Sequence, residues 1–171
     1  MVEAAGFTLT SWRLDHSVDT LGWRLEEREG RRMLPDRLAA FGTQGPDAGR
    51  LQRGETIEHA GRRVAPDDVS KPRRGQRFAF IMDAAWCDAA LGLAADADLV
   101  VAEATFLSTD ADLTAADAAR VARGAGRGAS CSRTCLSATP EDAAFHEETA
   151  AIFPDVVVGR DLNRVAVAAR R

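Results

Sequence analysis

Hydrophobic and polar residues alternate at Phe7, Leu9, Trp12 and Leu14, stop at the polar run DHSVDT, and alternate again at Leu21, Trp23 and Leu25. That period predicts two strands joined by a turn within residues 6–27. Leu34 to Phe41 reads as a short amphipathic piece, Gly45-Pro46 as a turn, and Thr56 to Pro66 as a small hairpin about Ala60-Gly61. After a basic loop, KPRRGQR, the apolar run Phe78 to Met82 predicts a buried strand. A helix over Cys87 to Ala95 and a second buried strand over Asp98 to Thr105 follow, which makes this an α/β layer. Leu113 to Arg123 predicts a helix capped by Asp112 or Thr114. Thr139-Pro140-Glu141-Asp142 opens another that runs to about Phe153, with Thr as N-cap and Pro at the first position. Asp155 to Val158 and Val165 to Val167 are expected to close the sheet.

Length and composition narrow the class. The 171 residues, 46% hydrophobic, suffice for one domain, expected to span 1–171. No apolar run approaches the ~20 residues of a membrane span, and no basic segment precedes an apolar core at the N-terminus, so no membrane is implied and the cytoplasm is the expected compartment. Cys87, Cys131 and Cys135 form neither a CxxC pair nor an even framework, which points to reduced thiols.

Charge adds a second division. The net charge of -4 hides a basic stretch from Arg24 to Arg77, followed by a segment from Met82 to Asp117 without Lys or Arg. Arginines on an arm can neutralise phosphates, and the acidic remainder can hold metal. His16 stands at the break between the first two strands, where a strand end can aim imidazole at a metal; Asp83 ends the strand of the FAFIMD run. His59 and His146 read as solvent-facing, and Trp12, Trp23 and Trp86 as core. Ser130, Ser132 and Ser137 have no accompanying His/Asp pattern, and no phosphate-binding glycine loop is present.

The order of LDHSVDTLGWRLEE, a GP-containing arm ending in LQRGETI, GQRFAFIMD, ADLVVAEATF, LTAADAARVA and FPDVVV followed by DL resembles the C-terminal half of ribonuclease Z. That family comprises the tRNA 3′-processing endoribonucleases of the metallo-β-lactamase superfamily. The resemblance implies half of an αββα sandwich: a mixed sheet with helices on one face, plus a protruding basic arm inserted at about residues 29–56. It implies His16 as a ligand to one of two Zn2+ ions, Asp83 as a bridge between them, and Glu103 as a residue orienting a ligand from behind. Such ions generate hydroxide near neutral pH and stabilise charge on the scissile phosphate. The arm looks like the family's tRNA-clamping exosite, with Gly45, Pro46, Leu51 and Gly54 matching its GP and L-x-x-G elements and Arg50 and Arg53 beside them.

Departures from the family pattern are as informative. The HxHxDH motif, which supplies most zinc ligands and the acid/base aspartate, has no counterpart here, so no catalytic residue is assigned, and two ligands cannot hold a dinuclear centre. Asp112 stands where the family usually has a histidine. Residues 128–139, GASCSRTCLSAT, fall where it has a buried strand ending in Leu-Thr-His, with Thr134 at the histidine position. With one choice of codons, reading one base earlier converts residues 128–140 into RRLVLTHLPQRYP, the family pattern, which suggests a compensated local frameshift. Two functions follow. One is the C-terminal portion of a zinc-dependent endoribonuclease acting on pre-tRNA, inactive without its other half. The other is a catalytically silent remnant or RNA-binding and dimerisation module. A homodimer or a missing N-terminal half is the expected protein partner.

Overall fold

The computed structural model describes residues 1–103, 114–125, 133–137, 142–160 and 162–167. In chain order the elements are β1 (Val2–Glu3), β2 (Phe7–Leu14), β3 (Thr20–Glu27), β4 (Gly30–Met33), α1 (Pro35–Ala40), α2 (Pro46–Gln52), β5 (Ile57–His59), β6 (Arg62–Val64), α3 (Pro66–Val69), β7 (Ser70–Arg73), β8 (Arg77–Ile81), α4 (Asp88–Ala94), β9 (Leu99–Glu103), α5 (Ala115–Ala125), β10 (Arg133–Ser137), α6 (Asp142–Ile152) and β11 (Val156–Gly159). They divide into two compact units, residues 1–27 with 76–169, and residues 28–75. The second unit runs past the Thr56 limit read from sequence because β7 pairs with β4. No helix among the described residues is long and apolar enough to cross a membrane.

The first unit is a seven-stranded sheet in the order β1-β2-β3-β8-β9-β10-β11. Its first three pairings are antiparallel and its last three parallel. Parallel neighbours need crossovers, and α4, α5 and α6 supply them. Right-handed crossovers that always step the same way across a sheet stack their helices on one face. The core lies there: Leu14, Ala79, Ile81, Val100, Ala102 and Val156 from the strands meet Ala90, Leu93, Ala118 and Val121 from the helices. Burying a side chain such as Leu93 or Ile81 contributes ~2–3 kcal/mol.

Close approach of α4 to the β2–β3 pair depends on two glycines. A Cβ on Gly92 would fall 2.2 Å from Cζ3 of Trp12, and one on Gly22 would fall 2.4 Å from Cδ1 of Leu93. The helix end is then closed by β3: Arg24 Nη1 donates to the carbonyls of Leu93 at 2.5 Å and Ala95 at 2.7 Å. A guanidinium there satisfies carbonyls that have no partner within the helix and meets the negative end of its dipole. Asp98, buried, fixes the start of β9 by accepting the Arg77 N–H at 2.7 Å.

The opposite face is bare across β2, β3, β8 and β9. Alternation puts Phe7 and Leu9, then Leu21, Trp23 and Leu25, Phe78 and Phe80, and Leu99 and Val101 in register across four strands, and all are half-buried or exposed. Trp23 is 38% exposed and its register partner Phe80 37%. The tryptophans are thus not core residues: Trp12 lies against Gly92, Trp23 on the bare face, and Trp86 is 44% exposed.

The second unit, residues 28–75, has its own small core of Leu51, Ile57, Val64 and Val69, flanked by Met33, Leu38 and Phe41. Two ribbons frame it, β4–β7 and β5–β6, the latter turning at Ala60-Gly61 as expected. Three further differences from the sequence reading stand out. The basic loop contains β7; Gly45-Pro46 opens the helix α2; and Val165–Val167 forms no strand, because residues 163–167 pair with no neighbour as a ladder. The N-cap of α5 is Thr114, which exchanges side-chain and backbone hydrogen bonds with Asp117. Asp112 and the Thr139-Pro140-Glu141 helix start lie outside the described residues.

Candidate metal centre

Strand direction gathers the candidate ligands at one edge. β2 and β8 are each antiparallel to β3, hence parallel to one another, and β9 is parallel to β8. His16, two residues beyond β2, Asp83, two beyond β8, and Glu103, the last residue of β9, therefore lie at the carboxyl ends of their strands. Ligands of open α/β sheets bind outside such ends. A backbone hydrogen bond from Ala85 N–H to the Asp15 carbonyl, 2.7 Å, ties the loop that carries His16 to the loop that carries Asp83.

Each residue is held by short-range chemistry. Asp83 has φ +47°, a left-handed conformation that costs a non-glycine residue ~1–2 kcal/mol. Its N–H donates to Glu103 Oε2 at 2.9 Å, so the carboxylate of the neighbouring strand end stabilises that turn. Nδ1 of His16 lies 3.4 Å from the Val18 N–H and 3.5 Å from Ser17 Oγ. These contacts leave Nε2 as the nitrogen open to a metal. His16 and Asp83 are both exposed.

Imidazole and carboxylate are sound zinc donors, but a structural or catalytic zinc needs three or four protein atoms. Among the described residues no group of three or more His, Cys, Asp or Glu is arranged to hold an ion. The donor set of the described residues does not fit a dinuclear centre. Cys87 is free and half-buried.

The second unit positions the remaining candidates. Gly45 (φ +57°) precedes Pro46 at the start of α2, and Gly54 (φ +90°) follows its end, where Gly54 N–H donates to the Leu51 carbonyl and Glu55 N–H to that of Arg50. A left-handed glycine just past the last turn is the usual way a helix stops. Leu51 is fully buried, so its part in the motif is to anchor α2. Arg50 and Arg53 both donate to Glu55, at 3.0 and 3.2 Å. The hydrogen bond from Arg50, with that from Arg53 behind it, outweighs partial desolvation and holds the Glu55 carboxyl below its ordinary range. His59, expected to face solvent, lies with Nδ1 3.2 Å from Asp47 Oδ2; His146 is exposed. Nothing local in the sequence signals the pairing of β4 with β7, whose partners are separated by the whole length of the unit.

Comparison with known proteins gives one consistent result. No family profile matches the chain. Ribonuclease Z of Streptomyces coelicolor is 45% identical over 175 residues, covering 96% of this chain and 56% of that protein. Ribonuclease Z of Thermobifida fusca is 43% identical over 176 residues, with 96% and 55% covered; that of Salinispora arenicola is 52% identical over 102 residues, with 60% and 33% covered. The chain thus spans about half the length of the curated relatives it matches, in their C-terminal portion. Among solved structures, the metallo-β-lactamase fold protein YhfI from Bacillus subtilis superposes with a TM-score of 0.51 at 16% identity, over 91% of this chain and 46% of that one. The fold is accordingly that of a part of the metallo-β-lactamase architecture.

Proposed function

We propose that this chain, which corresponds in sequence to the C-terminal portion of ribonuclease Z, is the C-terminal lobe of a zinc-dependent endoribonuclease that hydrolyses a phosphodiester bond at the 3′ end of pre-tRNA. It works only with the N-terminal portion that its relatives carry. The observation that carries this reading is the one-sided sheet. In a sandwich, two sheets face each other ~10 Å apart with interlocking apolar side chains. The bare face here, from β2 to β9, covers ~14 Å by ~17 Å at ordinary strand spacing and rise. Apolar patches of about that size mark interaction surfaces.

In the assembled enzyme His16 and Asp83 supply two metal ligands, Glu103 holds Asp83 in its turn, and the other lobe supplies the rest. No step of hydrolysis falls to residues of this chain alone. The arm holding Gly45, Pro46, Arg50, Leu51, Arg53 and Gly54 grips the tRNA away from the cleaved bond. The frameshift reading rests on the sequence pattern of residues 128–139 alone, since the shifted frame would put THLPQ, with a proline, over the inner strand β10. Codons that do not recover Leu-Thr-His in the shifted frame would refute it.

A second reading, an RNA-binding module without catalysis, is favoured by the charge of residues 28–75. They hold 11 Lys or Arg against 7 Asp or Glu, net +4, while the rest of the chain, with 11 and 19, carries -8. Bound zinc and cleavage of a pre-tRNA transcript, measured for the chain alone and with the N-terminal portion of the Streptomyces coelicolor relative added, separate the two. Zinc uptake and cleavage by the mixture support the enzyme lobe. Transcript binding without either supports the module.

A further inference from the structure

The loop between β8 and α4 turns an indole outward beside the strand ends that precede His16 and Asp83. Ala84 is 4% exposed and lies in the main core, and Cys87, half-buried, packs against that core. Between them Trp86 is 44% exposed. Both its flanks are pinned. The Ala85 N–H donates to the Asp15 carbonyl at 2.7 Å, and the Cys87 carbonyl accepts from the N–H groups of Ala90 and Leu91 at 3.1 and 3.3 Å. Among the described residues the indole makes no hydrogen bond, ring contact or cation–π contact. An exposed indole on a fixed backbone is a flat surface that is apolar on its faces and polar at its N–H.

Its place in the chain ties it to the candidate ligands. Trp86 stands three residues after Asp83, a span of at most ~11 Å, and its neighbour Ala85 is bonded to the residue before His16. Successive bases on one strand of a stacked nucleic acid are ~3.4 Å apart. A base on Trp86 therefore belongs to a nucleotide no more than about three places from a phosphate held at Asp83. Charge leaves this loop no other grip. From Met82 to Asp117 the chain has no Lys or Arg, while Asp83, Asp88 and Glu103 are acidic, so the loop can hold a nucleotide by its base but not by its phosphate. Aromatic side chains do so whatever the sequence, since every base has a π-face.

We propose that Trp86 is a stacking platform for an unpaired base of the RNA next to the cleaved bond, and that it sets where that strand lies over the edge holding His16 and Asp83. The proposal rests on the RNA substrate argued above and concerns a side chain outside the arm.

The test is binding of a labelled single-stranded RNA hexamer, too short to fold as a tRNA, and of the same strand made with abasic sugars. Each is titrated with the full chain as wild type, W86A and W86F, followed by fluorescence anisotropy across 50–200 mM salt. Losing one base–aromatic stack weakens binding ~5- to 150-fold. W86A should show that loss at every salt concentration, with the slope of log Kd against log salt unchanged because no phosphate contact is removed. W86F, which keeps a ring, should bind within about threefold of wild type, and the abasic strand should not distinguish the three proteins. A W86A chain that binds the hexamer like wild type, or that loses affinity equally for the abasic strand, overturns the platform. So does an indole that serves the other lobe instead: W86A would then weaken association with the N-terminal portion of the Streptomyces coelicolor relative and leave the hexamer untouched. A wild-type chain that binds a pre-tRNA transcript but not the hexamer overturns the platform and leaves the RNA reading standing; one that binds neither overturns both.

Discussion

Trp23 and Phe80 sit side by side at the middle of the bare sheet face, 38% and 37% exposed. Aromatic side chains of this kind bury ~150–250 Å² when covered, so the two together still present about 150 Å² to solvent. Covering that area with a second sheet contributes ~4 kcal/mol at ~25 cal/mol per Å², which is close to three powers of ten in a dissociation constant. Replacing both with threonine keeps a strand-forming residue at each place and removes most of that gain. The assay is titration calorimetry of the chain with the N-terminal portion of the Streptomyces coelicolor relative, alongside urea unfolding of each variant to correct for lost internal packing. The wild-type pair should associate with a negative heat-capacity change, the mark of apolar burial, and the W23T/F80T pair should bind ~10²–10³-fold more weakly. A folded double variant with a Kd within about threefold of wild type would show that the lobes meet elsewhere.

Three other outcomes follow from the geometry. Gly92→Ala, which drives a methyl into the Trp12 ring, should cost ~1–3 kcal/mol in urea unfolding, and shortening the partner in W12L/G92A should restore part of it. Asp83→Gly should stabilise the chain by ~1 kcal/mol, because glycine adopts its left-handed turn freely, whereas Glu103→Ala should destabilise it and lose most of that effect in the Asp83→Gly background if the 2.9 Å bond acts through the turn. For pH, Glu55 is depressed in the folded state, so its contribution is fully present above the unfolded carboxyl value and fades as pH falls through the lower folded one. Thermal midpoints between about pH 5 and pH 3 should therefore drop less in Glu55→Gln than in wild type; equal slopes would mean that the Arg50–Glu55–Arg53 contacts do not form in solution.

Much of the architecture can be read from short-range patterns, and the exceptions have a common cause. Strands β2, β3, β8 and β9 and helices α4 and α5 fall where alternation, apolar runs and caps put them, because each has a face that must be buried. The resemblance to ribonuclease Z, carried by motifs in order, agrees with the relatives found. What escaped was set by distant neighbours. β7 is a strand because Arg32 and Gly30 lie across from it, not because KPR favours one. Trp23 looks like a core residue by type, yet it is solvent-facing, because it projects from the face of the sheet opposite α4. Gly22 and Arg24 lie in LDHSVDTLGWRLEE, one of the stretches that carry the resemblance, and their contacts are structural: one admits Leu93 and the other closes α4. The edge that gathers His16, Asp83 and Glu103 follows from topology, which no spacing in the sequence could supply.

The junction between the two units has a consequence for how such an arm can change. Glu26 pairs with Arg77 in the ladder, and just beyond it Glu27 N–H donates to the Gln76 carbonyl at 2.8 Å, while Gln76 N–H donates to Glu27 Oε2 at 3.1 Å. To the sheet, everything from Arg28 to Gly75 is a single oversized hairpin loop whose stem is already zipped shut. Closing a longer loop costs only ~0.6 kcal/mol per doubling. A graft with a different arm, or with a two-residue Asn-Gly turn, should therefore leave the stem intact, so residues 28–75 can be exchanged without rebuilding the strand ends that precede His16 and Asp83.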